Sequence, residues 1–124
     1  MARITGLGGV FFKSRDPAAL SAWYRDTLGL DVASWGGAQL EPGSASGPPY
    51  SVWAPFPVDA THFQPGTSSY IINFSVDDLD AFIAQLAAKG VEIIGCEDSD
   101  PAGRFAWILD PEGTKVELWE PKAS

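Results

Sequence analysis

Glu117 is the residue in this chain whose type and setting point most directly to chemistry. It lies in KVELWE, residues 115 to 120, where alternation puts Lys115, Glu117 and Trp119 on one face and Val116 and Leu118 on the other. A carboxylate on an aromatic face is costly to bury unless it is paired or protonated. Glu117 is therefore a candidate general base or acid, or the partner of a cationic or hydrogen-bond-donating ligand. The plainer reading is a salt bridge to Lys115, Lys13 or Arg104. Other reactive groups are few. There is one histidine, His62, and one cysteine, Cys96. Transition-metal sites draw on those types, so a metalloenzyme here would rest mainly on carboxylates. His62 falls in a loop and reads as a surface residue. Cys96 reads as a small core residue. GLGG at 6–9 lacks the GxGxxG spacing and a following helix, so it is not a phosphate loop. The lone histidine, with no nucleophile elbow, leaves no Ser-His-Asp set.

Length and charge narrow the partners. The chain has 124 residues, 45 % of them hydrophobic, which suits one globular domain. Sixteen acidic residues against eight basic ones give a net charge of −8. That argues against nucleic acid or an anionic membrane, both of which call for a basic face. A single cysteine permits no internal disulfide. No apolar run reaches membrane-spanning length, and a cytoplasmic protein is the expectation.

The elements that must carry Glu117 come in two similar halves. Residues 4 to 13 read as a strand. Asp16-Pro17 is a helix start, with Asp at the cap and Pro at the first helical position. Leu20, Trp23, Tyr24 and Leu28 give that helix an apolar face, and Gly29 ends it. Leu30 to Trp35 reads as a strand, 41–49 as a Gly/Pro-rich loop, Tyr50 to Phe56 as a strand, and 57–69 as a second long loop. The pattern then restarts. Tyr70 to Val76 is a strand, Asp77-Asp78 caps a helix, Gly90 closes it, and Val91 to Ile94 is a strand. Phe105 to Leu109 and Lys115 to Glu120 flank Asp110-Pro111-Glu112-Gly113, whose residue types are those of a type I turn in a hairpin. The two units are displaced by 62 residues, half the chain. The expectation is an α+β domain over 1–124, made of two βαβββ modules (about 1–58 and 68–122) with mostly antiparallel sheets.

The chain resembles the vicinal oxygen chelate superfamily, the glyoxalase I, bleomycin resistance and extradiol dioxygenase group. The likeness rests on VFFKSRDPAALSAWYRDTLGL, INFSVDDLDAFIAQLAAKGVEI and LDPEGTKVELWEP. It implies paired modules whose curved sheets enclose a cleft. In metal-dependent members a divalent ion sits there on His, Gln or Glu side chains. One ligand position, seven residues before the first capping Asp, is Gly9 here. Its second-module equivalent is Ile71. The last-strand position, seven after Asp110, is Glu117. The fourth falls in Tyr50–Phe56, best matched to Trp53 within one residue of register. Gly9 and Ile71 offer no side-chain lone pair, so no metal or other cofactor is expected.

Alternation from these positions places Leu7, Phe11, Lys13, Ile71, Asn73, Ser75, Phe105, Trp107 and Trp119 on the cleft face. Phe11, Trp53, Asn73, Phe105, Trp107 and Trp119 are the expected ligand contacts, with Glu117 as the catalytic candidate. Aromatic walls with few polar points suit flat or cationic ligands. The function expected from the resemblance is metal-free binding of a small aromatic or cationic organic molecule. The alternatives are a glyoxalase-like lyase or isomerase using Glu117, and an interaction module whose cleft is filled. Loops 41–49 and 57–69 are candidate lids, with Trp35, Phe56 and Phe63 as caps, and a homodimer is expected from the family.

Overall fold

Two aspartates and two glycines set the helices. A computed structural model describes residues 2–41 and 48–122. In it α1 spans Pro17–Leu28, and the Asp16 carboxylate accepts from the Ala19 amide at 3.1 Å. Gly29 ends α1 in the left-handed region at φ 73°, a conformation that glycine adopts without steric cost. α2 spans Leu79–Ala88 and is capped in the same way by Asp78, which accepts from the Ala81 amide at 3.1 Å. Asp77 is not a cap. Its carboxylate holds the Arg3 amide at 2.9 Å and ties down the start of the chain.

The strands are β1 (Ile4–Ser14), β2 (Ala38–Leu40), β3 (Ser51–Pro57), β4 (Tyr70–Val76), β5 (Gly95–Asp100), β6 (Gly103–Leu109) and β7 (Lys115–Pro121). They form one sheet in the order β2-β3-β1-β4-β7-β6-β5. β1 pairs in parallel with β3, and β4 in parallel with β7. The halves join where β1 and β4 run antiparallel, and there Val10 faces Ile72, its own counterpart in the repeat. The duplication seen in the sequence is thus a pseudo-twofold relation about that pair.

Two expected strands are absent. Leu30 to Trp35 forms turns, with the Ala33 amide donating to Gly37 O and the Gly36 amide to Ala33 O. Val91 to Ile94 forms no strand ladder: the Val91 amide donates to Leu86 O at the end of α2 and the Ile94 amide to Trp107 O. Its apolar character serves packing, since Ile93 lies against the core. The strand begins one residue later as GCEDSD, a charged edge, and Cys96 is exposed on it rather than in the core. Acidic edge residues keep such a strand from pairing further.

Each half buries one sheet face under its helix. Val76, Leu79, Ala106 and Leu118 form the buried centre beneath α2, with Phe82, Ile83 and Leu86 packed on it. Under α1 the packing is aromatic, Tyr24 on Trp53 with centroids 4.6 Å apart and Phe12 on Trp53 at 5.4 Å. The opposite face, alternate residues along the same strands, carries the cleft. Among the described residues no helix is long and apolar enough to cross a membrane.

Candidate functional site

A bulge decides what β1 shows to the cleft. Leu7 faces Phe74 and Gly9 faces Asn73 on β4, leaving Gly8 as the extra residue. A Cβ on Gly8 would collide with Asn73 Oδ1 and the Trp119 ring, and one on Gly9 would collide with the Val52 carbonyl oxygen. Both positions require glycine because other atoms already occupy the space. Gly8 therefore borders the cleft, while Gly9 is pressed against the β3 backbone. Beyond the bulge alternation resumes, so that Phe11 lines the cleft and Phe12 turns toward α1.

Glu117 lies at the cleft floor, 4 % exposed. The parallel β4–β7 register sets it beside Asn73, and the β6–β7 hairpin sets it opposite Trp107. Asn73 Nδ2 donates to Oε1 at 2.6 Å, and Trp107 Nε1 donates to Oε2 at 2.7 Å. His62 Nε2 lies 3.2 Å from the same Oε2. The amide and indole donors are neutral, so they satisfy the carboxylate without cancelling its charge. The salt bridges that would have made Glu117 merely structural do not form. Arg104 pairs with Asp80 at 2.7 Å and Asp98 at 3.1 Å. Lys13 sits 5.3 Å over the Phe63 ring, and Lys115 sits 5.2 Å over the Trp107 ring. Lys115 also donates to the His62 carbonyl. Burial holds its ammonium below the usual lysine range, and the nearby Glu117 charge partly opposes that.

Above this floor stands an aromatic wall. The rings of Phe105 and Trp107 are 6.2 Å apart and within 6° of parallel, and those of Phe105 and Trp119 are 6.3 Å apart and within 8°. Trp119 is anchored by its Nε1, which donates to Ala102 O at 2.9 Å. Two hollows meet at Phe11, Phe105 and Glu117. The outer one, about 350 Å³, is bounded by Phe56, His62 and Trp107 with Glu97 and Asp100 at its rim. The inner one, about 80 Å³, reaches back to Gly8, Asn73 and Trp119. Tyr50 packs on Trp119 with centroids 5.3 Å apart. Burial, and then the charge of Asp100, raise its phenol above the usual range, so it stays neutral.

Of the residues expected in the cleft, Phe11, Asn73, Phe105, Trp107, Glu117 and Trp119 come together there. Trp53 does not. The register of β3 is one residue off the expected match, so Val52 borders the inner hollow and Trp53 packs under α1. Ser75 is spent on Thr5 Oγ1 at 2.7 Å and is fully buried. Trp35 is 54 % exposed and borders neither hollow. Phe56 lines the outer hollow, whereas Phe63 is buried behind it with centroids 5.4 Å apart. His62 corrects the surface-loop reading. It sits in a 3-10 turn, Thr61–Phe63, that brings its ring over the cleft. The long loop carrying it is pinned to the Asp110 hairpin, where the Thr67 amide donates to Gly113 O at 3.0 Å and Ser68 bonds Thr114 at 2.7 Å. The other candidate lid, 41–49, falls mostly outside the described residues.

The donor set does not fit a divalent ion at the family's position. Gly9, Ile71 and Val52 offer no side-chain donor, and both oxygens of Glu117 already accept hydrogen bonds. Among the described residues no three His, Cys, Asp or Glu side chains are grouped to hold a metal.

Comparison with known proteins places this geometry. The chain is similar in fold to methylmalonyl-CoA epimerase from Streptomyces coelicolor (a Q60A variant complexed with 2-nitronate-propionyl-CoA). The TM-score is 0.74 at 19 % identity, over 98 % of this chain and 100 % of that one. For methylmalonyl-CoA epimerase from Mycobacterium tuberculosis the TM-score is 0.65 at 23 % identity, over 97 % and 90 %. For a glyoxalase/bleomycin resistance protein/dioxygenase superfamily member from Vibrio splendidus 12B01 it is 0.57 at 14 %, over 97 % and 99 %. No curated protein matches the chain. The family model for the Glyoxalase/Bleomycin resistance protein/Dioxygenase superfamily matches residues 7–118, from just before the β1 bulge to the residue after Glu117. With the fold, the repeat and this match in agreement, the chain belongs to the glyoxalase/bleomycin resistance protein/dioxygenase superfamily.

Proposed function

We propose that this protein binds a small aromatic cation in the cleft, without a metal. The observation that carries the reading is Glu117, a buried carboxylate held by neutral donors at the foot of an aromatic wall. A charge retained in such a setting attracts a cation, and parallel ring faces favour a flat one through stacking and cation–π contact. Glu97 and Asp100 at the rim, and the net charge of −8, add the same sign. A screen of aromatic cations against neutral and anionic isosteres, by thermal shift and tryptophan fluorescence, tests this. Cations should raise Tm by mass action and change the emission. Equal response to anions, or no response to any cation, overturns the reading.

A second reading, an isomerase or lyase using Glu117, is favoured by the His62–Glu117 contact of 3.2 Å. A carboxylate bonded to an imidazole can relay a proton to and from a bound carbon acid. Assays with methylglyoxal–glutathione hemithioacetal and with methylmalonyl-CoA distinguish it, since turnover that Glu117→Gln abolishes would make the protein an enzyme. The reading also includes a cytoplasmic homodimer. Exposed Ile4, Leu7 and Leu40 near the β1 start and the β2 edge support pairing, and sedimentation at micromolar concentration checks it.

A further inference from the structure

Asn73 Oδ1 is the only buried side-chain polar atom among the described residues that has no hydrogen-bond partner. Asn73 is 2 % exposed. Its amide cannot simply be turned over, because Nδ2 donates to Glu117 Oε1 at 2.6 Å and the reverse orientation would press two acceptors together. Oδ1 is thereby fixed toward Gly8, where a Cβ would collide with it. Gly8 and Asn73 border the inner hollow together with Phe11, Phe105 and Trp119. Asn73 Oδ1 and the Glu117 carboxylate both accept hydrogen bonds, and a buried acceptor without a donor is a standing cost to the fold.

We propose that the inner hollow takes the N–H end of the ligand. The occupant is a protonated primary or secondary amine on a small aromatic body. Its ammonium donates to Asn73 Oδ1 and faces Glu117, and its ring rests against Phe11 and Phe105. A quaternary ammonium has no hydrogen to donate and presents methyl groups to Oδ1. Glycine at position 8 is what lets Asn73 Oδ1 lie where it does, since a Cβ there would displace it. This inference rests on the cation-binding reading above and narrows it to amines.

Three probes separate the two claims: benzylammonium, benzyltrimethylammonium and benzyl alcohol, titrated at neutral pH into the full chain with fluorescence and calorimetric detection. Benzylammonium should bind roughly tenfold more tightly than its trimethyl analogue, the scale of one hydrogen bond from a charged donor. Gly8→Ala, whose Cβ would force Asn73 Oδ1 from its place, should bring that ratio near one. Asn73→Ala should do the same by removing the acceptor, and Gly8→Ala carries the test if that variant does not fold. Equal binding of the two cations to the native protein overturns the inference, the hollow then holding water alone, and leaves the cation site standing. A ratio unchanged in folded Gly8→Ala overturns it as well. If neither cation binds, both readings fall.

Discussion

Trp107 and Glu117 face each other across the β6–β7 hairpin, and the indole Nε1 donates to the carboxylate Oε2 at 2.7 Å. A wall residue of the cleft thus also holds the charge at its floor. Trp107→Phe keeps an aromatic face, smaller than the indole, and removes the donor. We expect it to cost about 1–3 kcal/mol in denaturant unfolding, the range for leaving a buried charged acceptor short of a bond. An unchanged midpoint would mean that the bond contributes nothing.

Glu117→Gln should affect both stability and binding. One end of the new amide would meet N–H donors with N–H of its own, at Asn73 or at Trp107. A loss of about 1–3 kcal/mol is expected, with aromatic cations bound at least roughly tenfold more weakly. Calorimetry on the purified variant reads both. Full retention of cation affinity would remove Glu117 from the site.

Gly9→Ala should destabilise by about 1–3 kcal/mol, the usual cost of forcing a methyl group into filled space. The obstacle is the Val52 carbonyl oxygen, backbone that cannot rotate aside. Thermal unfolding of the variant checks this, and an unaltered Tm would show that β1 and β3 can separate there at little cost.

Asp16→Ala removes the N-cap of α1. The expected loss is about 0.5–2 kcal/mol in chemical denaturation. Because α1 packs on the sheet face opposite the cleft, against Trp53, cation affinity measured on the folded variant should not change.

Lys115 supplies a pH signature. Burial disfavours its ammonium in the folded state, so its folded pKa lies below the unfolded value of 10.5. The unfolded chain therefore binds more protons in the window just below 10.5, and this group's contribution makes stability rise as pH increases through that window. Lys115→Met should remove that contribution. Denaturation midpoints of the two proteins compared across the window test it, and identical slopes would contradict the burial argument.

Much of the fold was legible locally. Asp16 and Asp78 are caps because a short carboxylate can reach the amide three residues on, and Gly29 ends α1 because it tolerates a positive φ. The two units 62 residues apart gave the pseudo-twofold, and the turn at 110–113 gave the register that faces Trp107 with Glu117. Along β6 and β7 the ladder is unbroken, so counting by twos assigned Phe105, Trp107, Glu117 and Trp119 to one face.

Where counting by twos failed, something non-local had intervened. The bulge at Gly8 exists because β1 must pass Asn73 and Trp119 closely, and nothing in GLGG says which glycine is the extra one. Trp53 stands under α1 because a shift of one residue in a paired strand exchanges its faces. His62 reaches Glu117 because its loop is fastened to a hairpin some fifty residues away in sequence. The residue types and most strand phases were thus set by the sequence alone. The tertiary structure decided which of them meet, and it alone left Asn73 Oδ1 buried without a donor. The reason is that a buried acceptor's partners depend on contacts between distant strands, which no local pattern encodes.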